Sequence, residues 1–340
     1  MTTCKAIRWL AALAPLLAGV LPPAAARAED AVTTPAYSRG TLAFIIENDT
    51  FSGNDRYYTN GFLFAWASPS GAPPGWTTRL TSALAPFFPA GGTPRWGLAF
   101  GQKKYTPEDT LLRNPDPKDR PYAGWLYTAF TLSSNTDTTL AVAELQLGVF
   151  GPSALGRQVQ NTTHDIFGID RAYGWSYQIK DEPGVNLVLA RQWRINRPVN
   201  DDLAIGLIPS VAASLGNVQT YGSVGMTFRV GNALDADFGP PRVRPAAAGS
   251  LFFEPGETWG WYAFAGLEGR AVGRDISLDG NTWRDSRSVD REDFIADASF
   301  GAALVMPRAR LTATYTIRSK EFTAQREAAQ FGSLSLAFRF

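Results

Sequence analysis

From about residue 41 onward, apolar and polar positions alternate with a period of two, the spacing that puts successive side chains on opposite faces of a β-strand. In 309–319, Leu311, Ala313, Tyr315 and Ile317 share one face, while Thr312, Thr314, Thr316 and Arg318 share the other. Just before it, Phe294, Ala296, Ala298, Phe300, Ala302 and Leu304 oppose Asp297 and Ser299. At 141–150, Ala143, Leu145, Leu147 and Val149 oppose Glu144 and Gln146, and at 261–271, Ala263, Ala265, Leu267 and Ala271 oppose Tyr262, Glu268 and Arg270. The pattern predicts twelve strands, near 41–48, 60–68, 95–104, 124–133, 138–150, 184–195, 202–215, 218–230, 259–272, 292–305, 308–319 and 331–340. Twelve is an even number, as bacterial single-chain membrane barrels require, and the lengths suit the ~9–11 residues of a tilted spanning strand. No apolar run after the first segment approaches the ~18 residues of a spanning helix. A soluble barrel turns its apolar face inward; a membrane barrel inverts this, and alternation alone does not say which.

The ends of the chain favour the membrane version. Lys5 and Arg8 precede an apolar run from Leu10 to Leu21, and Ala26-Arg27-Ala28 fits a small-x-small cleavage pattern. Residues 1–28 thus read as a secretory signal peptide, since about a dozen apolar residues fall short of the ~20 of a membrane anchor. At the other end, Leu334, Leu336 and Phe338 alternate with Ser333, Ser335, Ala337 and Arg339 up to the aromatic Phe340. The expectation is an all-β fold: a transmembrane antiparallel β-barrel of about twelve strands over residues 29–340, closed because lipid satisfies no unpaired strand edge. Trp66, Trp96, Trp125, Trp193, Trp259 and Trp261 stand near predicted strand ends, where interfacial aromatic girdles are expected. Asn217 and Pro307-Arg308 mark tight turns, and the long connections are 69–94, 105–123, 151–183, 231–258 and 273–291. In such barrels the long loops face outward and the short turns face the periplasm.

Composition narrows the chemistry. Residues 1–28 carry three of the 32 basic residues and none of the 31 acidic ones, so cleavage leaves a net charge of −2. That leaves no basic excess to hold phosphates, and argues against nucleic acid as a partner. The single cysteine, Cys4, falls in the signal peptide, so neither thiol chemistry nor a disulfide is expected in the mature barrel. Nothing in the sequence signals an oligomeric state.

Among the long connections, 151–183 alone has helix potential: Ala154 to Phe167 contains no proline and only Gly156 as glycine. On such a helix Gln160 and His164 share a face one turn apart. His164 is the single histidine of the chain and the side chain whose ordinary pKa suits general-base work near neutrality; a lone histidine is more often structural. The first hairpin is polar too. Glu47-Asn48-Asp49-Thr50 ends one strand and Asp55-Arg56-Tyr57-Tyr58-Thr59-Asn60-Gly61 opens the next. Such residues form turns, but Asn48 and Asp49 stand before the turn proper, and Asp49 is a hard oxygen donor of the kind calcium takes.

Several motifs, in order, resemble the outer-membrane lipid A 3′-O-deacylase family (LpxR type): Glu47-Asn48-Asp49, Asp55 to Gly61, Asp119-Arg120-Pro121-Tyr122-Ala123-Gly124-Trp125, Gly151-Pro152 through Gln160 to His164, Gly174-Trp175-Ser176-Tyr177-Gln178, and Asp181-Glu182-Pro183-Gly184. They cover residues 44–195 densely; the C-terminal half matches mainly as strands. The resemblance implies a twelve-stranded barrel in the cell outer membrane, with a calcium-dependent ester-hydrolase site between the barrel wall and a helix in an outer loop, acting on lipid A of lipopolysaccharide. It implies His164 as general base, Gln160 as orienting substrate or His164, Asn48 and Thr59 as polarising the ester carbonyl, and Asp49 and Asp170 as ligands of Ca2+. The absence of a Gly-x-Ser-x-Gly elbow fits direct attack by water. Some members carry a site lysine after the third strand; here Lys103, Lys104 and Arg113 are near that stretch, none at the equivalent spacing. The alternatives are an outer-membrane phospholipase on the same barrel, and a non-catalytic pore or scaffold.

Overall fold

The computed structural model describes residues 40–49, 57–70, 73–240, 252–254 and 256–340. The expected signal peptide lies outside these residues. Thirteen strand segments form one antiparallel sheet: β1 (Thr41–Asn48), β2 (Tyr57–Ala67), β3 (Thr93–Thr106), β4 (Ala123–Asn135), β5 (Thr139–Phe150), β6 (Glu182–Trp193), β7 (Ile195–Asn200), β8 (Leu203–Gly216), β9 (Gln219–Gly231), β10 (Gly260–Asp275), β11 (Phe294–Val305), β12 (Ala309–Arg318) and β13 (Ala329–Arg339). The first and last strands pair from Thr41↔Arg339 to Asn48↔Gly332. On the other side, β6 pairs with β8 up to Gln192↔Ser210, and β7 continues in the same register from Ile195↔Leu207. β6 and β7 are therefore one barrel strand broken at Arg194, and the sheet closes as a twelve-stranded barrel. At the break, the Arg194 guanidinium is held by the backbone oxygens of Asp137, Asp235 and Asp237.

The barrel is inverted. Thr312, Thr314, Thr316 and Arg318 are buried in the lumen, as are Glu144, Gln146 and Asp297, while Leu145, Leu147, Leu267, Phe294, Phe300 and Ile317 are exposed on the outer wall. Every apolar face read from the sequence points outward, which is the arrangement lipid stabilises. Among the described residues no helix is long and apolar enough to cross a membrane.

The connections depart from the expected division. At the base, where β1 begins and β13 ends, lie two of the long ones: the β2–β3 connection, which carries helix α1 (Gly75–Ala83), and the β9–β10 connection, which carries the 3-10 turn Leu234–Ala236. The tight turn at Asn217 joins β8 to β9 at the opposite end, the crown, with the loops after β3, β5, β10 and β12. Length does not sort these connections, because parts of both long basal segments fold against the barrel. Asp237 is buried there, accepting hydrogen bonds from Arg229 (2.8 Å), Arg310 (2.6 Å) and the Tyr262 hydroxyl (2.6 Å). At the crown, Arg120 donates to Glu321 (2.6 Å), and Arg318 joins Glu321 (3.1 Å) to Asp297 (2.9 Å). Trp66 meets Trp96 edge-on at the base, with Trp76 of α1 beside Trp96. Trp125 does not join a girdle. It faces inward at the crown, buried and stacked between Tyr127 and Phe150.

Candidate active site

On the outer wall the first four strands align in rows. Phe44, Phe64, Phe100 and Thr128 form one; Ile46, Phe62, Gln102 and Leu126 the next towards the crown; Asn48, Asn60, Lys104 and Gly124 the last. The lipid-facing surface thus turns from aromatic to polar within two rows. Gln102 and Lys104 nonetheless expose only 1% and 2% of their surface. They are covered by the loop after β5, which forms a 3-10 turn (Pro152–Ala154) and then helix α2 (Gly156–Phe167) against β3 and β4. Gln102 Nε2 donates to the Ala154 carbonyl (2.6 Å) and ties this loop to the wall.

Two glycines make the approach possible. A Cβ on Gly124 would meet Ala154 Cβ at 3.1 Å and Gly156 Cα at 3.5 Å, and a Cβ on Gly156 would meet the Trp175 ring at 2.6 Å. Between the 3-10 turn and α2, Leu155 takes a left-handed conformation (φ 59°), uncommon for a residue with a side chain, and this makes the corner sharp.

The buried stripe of α2 is Gly156, Gln160 and His164, spaced four apart so that they fall on one face. The helix ends in the left-handed Gly168, which caps the His164 carbonyl. The chain then doubles back along α2: the Asn161 amide brackets Ala172, accepting from its N–H (3.0 Å) and donating to its carbonyl (3.3 Å), and Arg171 pairs with Asp165 at the surface. This return places the Asp170 carbonyl 2.5 Å from His164 Nδ1. A carbonyl only accepts, so Nδ1 is the donor in this contact and Nε2 is the ring nitrogen left for chemistry when the imidazole is neutral. Gln160 is fixed as well, its Oε1 accepting from the Trp175 indole (2.8 Å).

The structure therefore brings Gln160 and His164 onto the lipid-facing wall, over the part of the sheet whose crown row begins with Asn48. Asp49, next along the chain, is 1% exposed. Thr59 belongs to β2, where the pairing with β3 shifts register between Tyr57 and Asn60; its side chain lies outside the described residues. The Asp170 side chain is exposed, and its contact with His164 is through the backbone. Among the described residues no group of three or more histidine, cysteine or acidic side chains could hold a metal ion. The hard donors at the end of β1 are the buried Asp49 carboxylate and the Asn48 amide oxygen, a donor class that suits calcium.

Sequence reasoning left the site lysine open and missed Gln102. Lys104 lies on the site face, in register with Asn60 and Gly124, whereas Lys103 points into the lumen with its ammonium 5.7 Å from the Tyr127 ring centre. The signal was present in β3. Its outward positions run Leu98, Phe100, Gln102, Lys104, and a lipid face that turns polar before its strand ends needs a cover.

A closed inverted barrel with an apolar outer wall defines the chain as an outer-membrane β-barrel protein. It belongs to the LpxR outer membrane protein family, whose model matches residues 10–340. Among solved structures, LpxR from Salmonella typhimurium is 19% identical and aligns over 88% of this chain and 100% of its own, with a TM-score of 0.73. That likeness is one of fold. The beta domain of the Bordetella autotransporter Brka aligns over 89% of this chain and 100% of its own, at 9% identity and a TM-score of 0.47. No curated protein sequence matches the chain.

Proposed function

We propose that this protein is a lipid A deacylase that hydrolyses the 3′-linked acyloxyacyl ester of lipopolysaccharide in the outer leaflet, with calcium as cofactor. The observation that carries the reading is His164. It is held in one tautomer by the Asp170 carbonyl, on a helix docked against the lipid-facing wall rather than in the lumen.

In this mechanism His164 Nε2 takes a proton from water as the water oxygen attacks the ester carbonyl. The carbonyl π electrons move to oxygen, where Asn48 and Thr59 stabilise the developing charge, and Gln160 orients substrate or His164. Collapse breaks the bond to the sugar oxygen, which recovers the proton from Nε2, leaving a free sugar hydroxyl and a released acid. A positioned base of this kind contributes about 10²–10⁴-fold. Asp49 would hold calcium, with Asp170 as a second carboxylate, and the ion would supply positive charge for the carbonyl oxygen. Lys104 would meet an anionic group of the substrate. A pore is disfavoured, because side-chain ion pairs occupy the lumen towards both ends.

The test is mass spectrometry of lipid A after incubation with refolded protein in detergent, with calcium and with excess chelator. A mass loss matching one acyloxyacyl unit, present with calcium and absent with chelator, is expected. No loss from folded protein in either condition overturns the reading, and loss from phospholipid alone moves the substrate to a glycerol ester.

A further inference from the structure

The deacylase reading leaves Gln160 able either to accept from His164 or to donate to substrate, and Trp175 without a role. Their contact decides between these. Gln160 is 1% exposed and its Oε1 is engaged by Trp175 Nε1–H at 2.8 Å. An amide end can be assigned either way round only where its surroundings allow it. Here the indole is a pure donor, so a flipped Gln160 would set Nε2–H against N–H. The amide is thereby fixed with Nε2 as its other end, and that nitrogen is buried with no hydrogen-bond partner among the described residues. A buried amide donor left unpaired in a native structure calls for an explanation. It does not serve to hold His164 at Nδ1, which the Asp170 carbonyl occupies.

Trp175 is itself held firmly. It is buried, its ring lies 4.8 Å from that of Tyr122 and packs where Gly156 has no side chain, and the Tyr122 hydroxyl donates to the Thr110 carbonyl. The crown loop after β3 thus reaches through Tyr122 and Trp175 to the amide on α2.

We propose that Trp175 is a positioning residue: its indole N–H orients the Gln160 amide so that Nε2 donates to the oxygen of the ester carbonyl under attack. This rests on the deacylase reading. Its test uses the refolded full chain in detergent micelles, with Trp175→Phe, Gln160→Met and the double variant. Two readouts separate positioning from structure. Steady-state kinetics on lipid A should show kcat about tenfold lower for Trp175→Phe and about a hundredfold lower for Gln160→Met, with KM little changed. The double variant should be no slower than Gln160→Met, because the indole acts only through the amide. The second readout needs no activity. In 15N-tryptophan spectra the indole resonance that vanishes in Trp175→Phe should move upfield in Gln160→Met. An equal drop from Trp175→Phe in both Gln160 backgrounds, or a Trp175 resonance indifferent to Gln160→Met, overturns the proposal. A wild type that hydrolyses nothing overturns the deacylase reading instead, and the indole shift still decides the contact. If Trp175→Phe does not fold, Gln160→Met alone carries the spectroscopic arm, the Trp175 signal being the one indole that it moves.

Discussion

Polar groups are buried in two places in this barrel, and they are treated differently. In the lumen opposite charges meet: Asp237 lies between Arg229 and Arg310, and Glu321 between Arg120 and Arg318. In the seam between α2 and the outer wall the buried groups include two neutral amides, Gln102 and Gln160. Gln160 and Gln102 each make one hydrogen bond and leave the other end of the amide unmatched, and His164 Nδ1 meets the Asp170 carbonyl. Burial between opposite charges is structural fill. A neutral amide with an unmatched end, on the face where lipid lies, is what a site for a lipid ester requires. The contrast teaches that position relative to the wall, and not burial or charge, separates the two roles.

The sharpest way to break this contrast is His164→Ala. Loss of the base should lower kcat for deacylation by about 10³-fold and leave a folded barrel, read as the heat-modifiable mobility shift on gels. A stable barrel with undiminished activity would return the seam to structural status. Asp237→Ala is the converse. It strands Arg229 and Arg310 in the lumen and should cost about 3–5 kcal/mol of stability, measured by thermal or denaturant unfolding, while kcat of the folded fraction is unchanged. A fall in kcat there would make the lumen part of the site. Gly124→Val sharpens the comparison at the seam: its new carbons meet Ala154, the loop lifts from the wall, and displacement of the catalytic groups by about 1 Å lowers kcat by about 10²-fold with the barrel intact.

The smallest effect concerns acid. Burial pushes the Glu321 carboxyl up, but Arg120 and Arg318 beside it outweigh this and hold it at about 2. A carboxyl lowered in the fold stabilises it above its ordinary value of 4.5, and that contribution is lost as the pH falls from 4.5 through about 2. Unfolding followed across this window should show the loss, and Glu321→Gln should remove the dependence.

Much of this was legible in the sequence, and the rest was not, for physical reasons. Strands announce themselves because a sheet with one apolar face must alternate. The edges of β5 (139–150), β8 (203–216) and β11 (294–305) fall within two residues of those expected. The helix read from Ala154 to Phe167 forms over 156–167, and the four-residue spacing of Gln160 and His164 places them on one buried face. Alternation carries no label for inside or outside, so Trp125 reads as a girdle residue although it is luminal, and Lys104 separates from Lys103 only once the apolar face of β3 is known to point outward. The placing of the long basal connections was hidden because loop length says nothing of whether a loop folds inward. The break at Arg194 depends on carbonyls from two distant turns. The contact between Trp175 and Gln160 joins residues fifteen apart through a chain reversal, which no local period encodes.

The most direct test of the central claim, that the chemistry lies on the outer wall and not in the lumen, is mass spectrometry of lipid A incubated with calcium and with wild type, His164→Ala or Asp237→Ala protein in parallel. The account predicts loss of one acyloxyacyl unit with wild type and with folded Asp237→Ala, and about 10³-fold slower loss with His164→Ala. Normal deacylation by His164→Ala, or its abolition in a folded Asp237→Ala barrel, would contradict it.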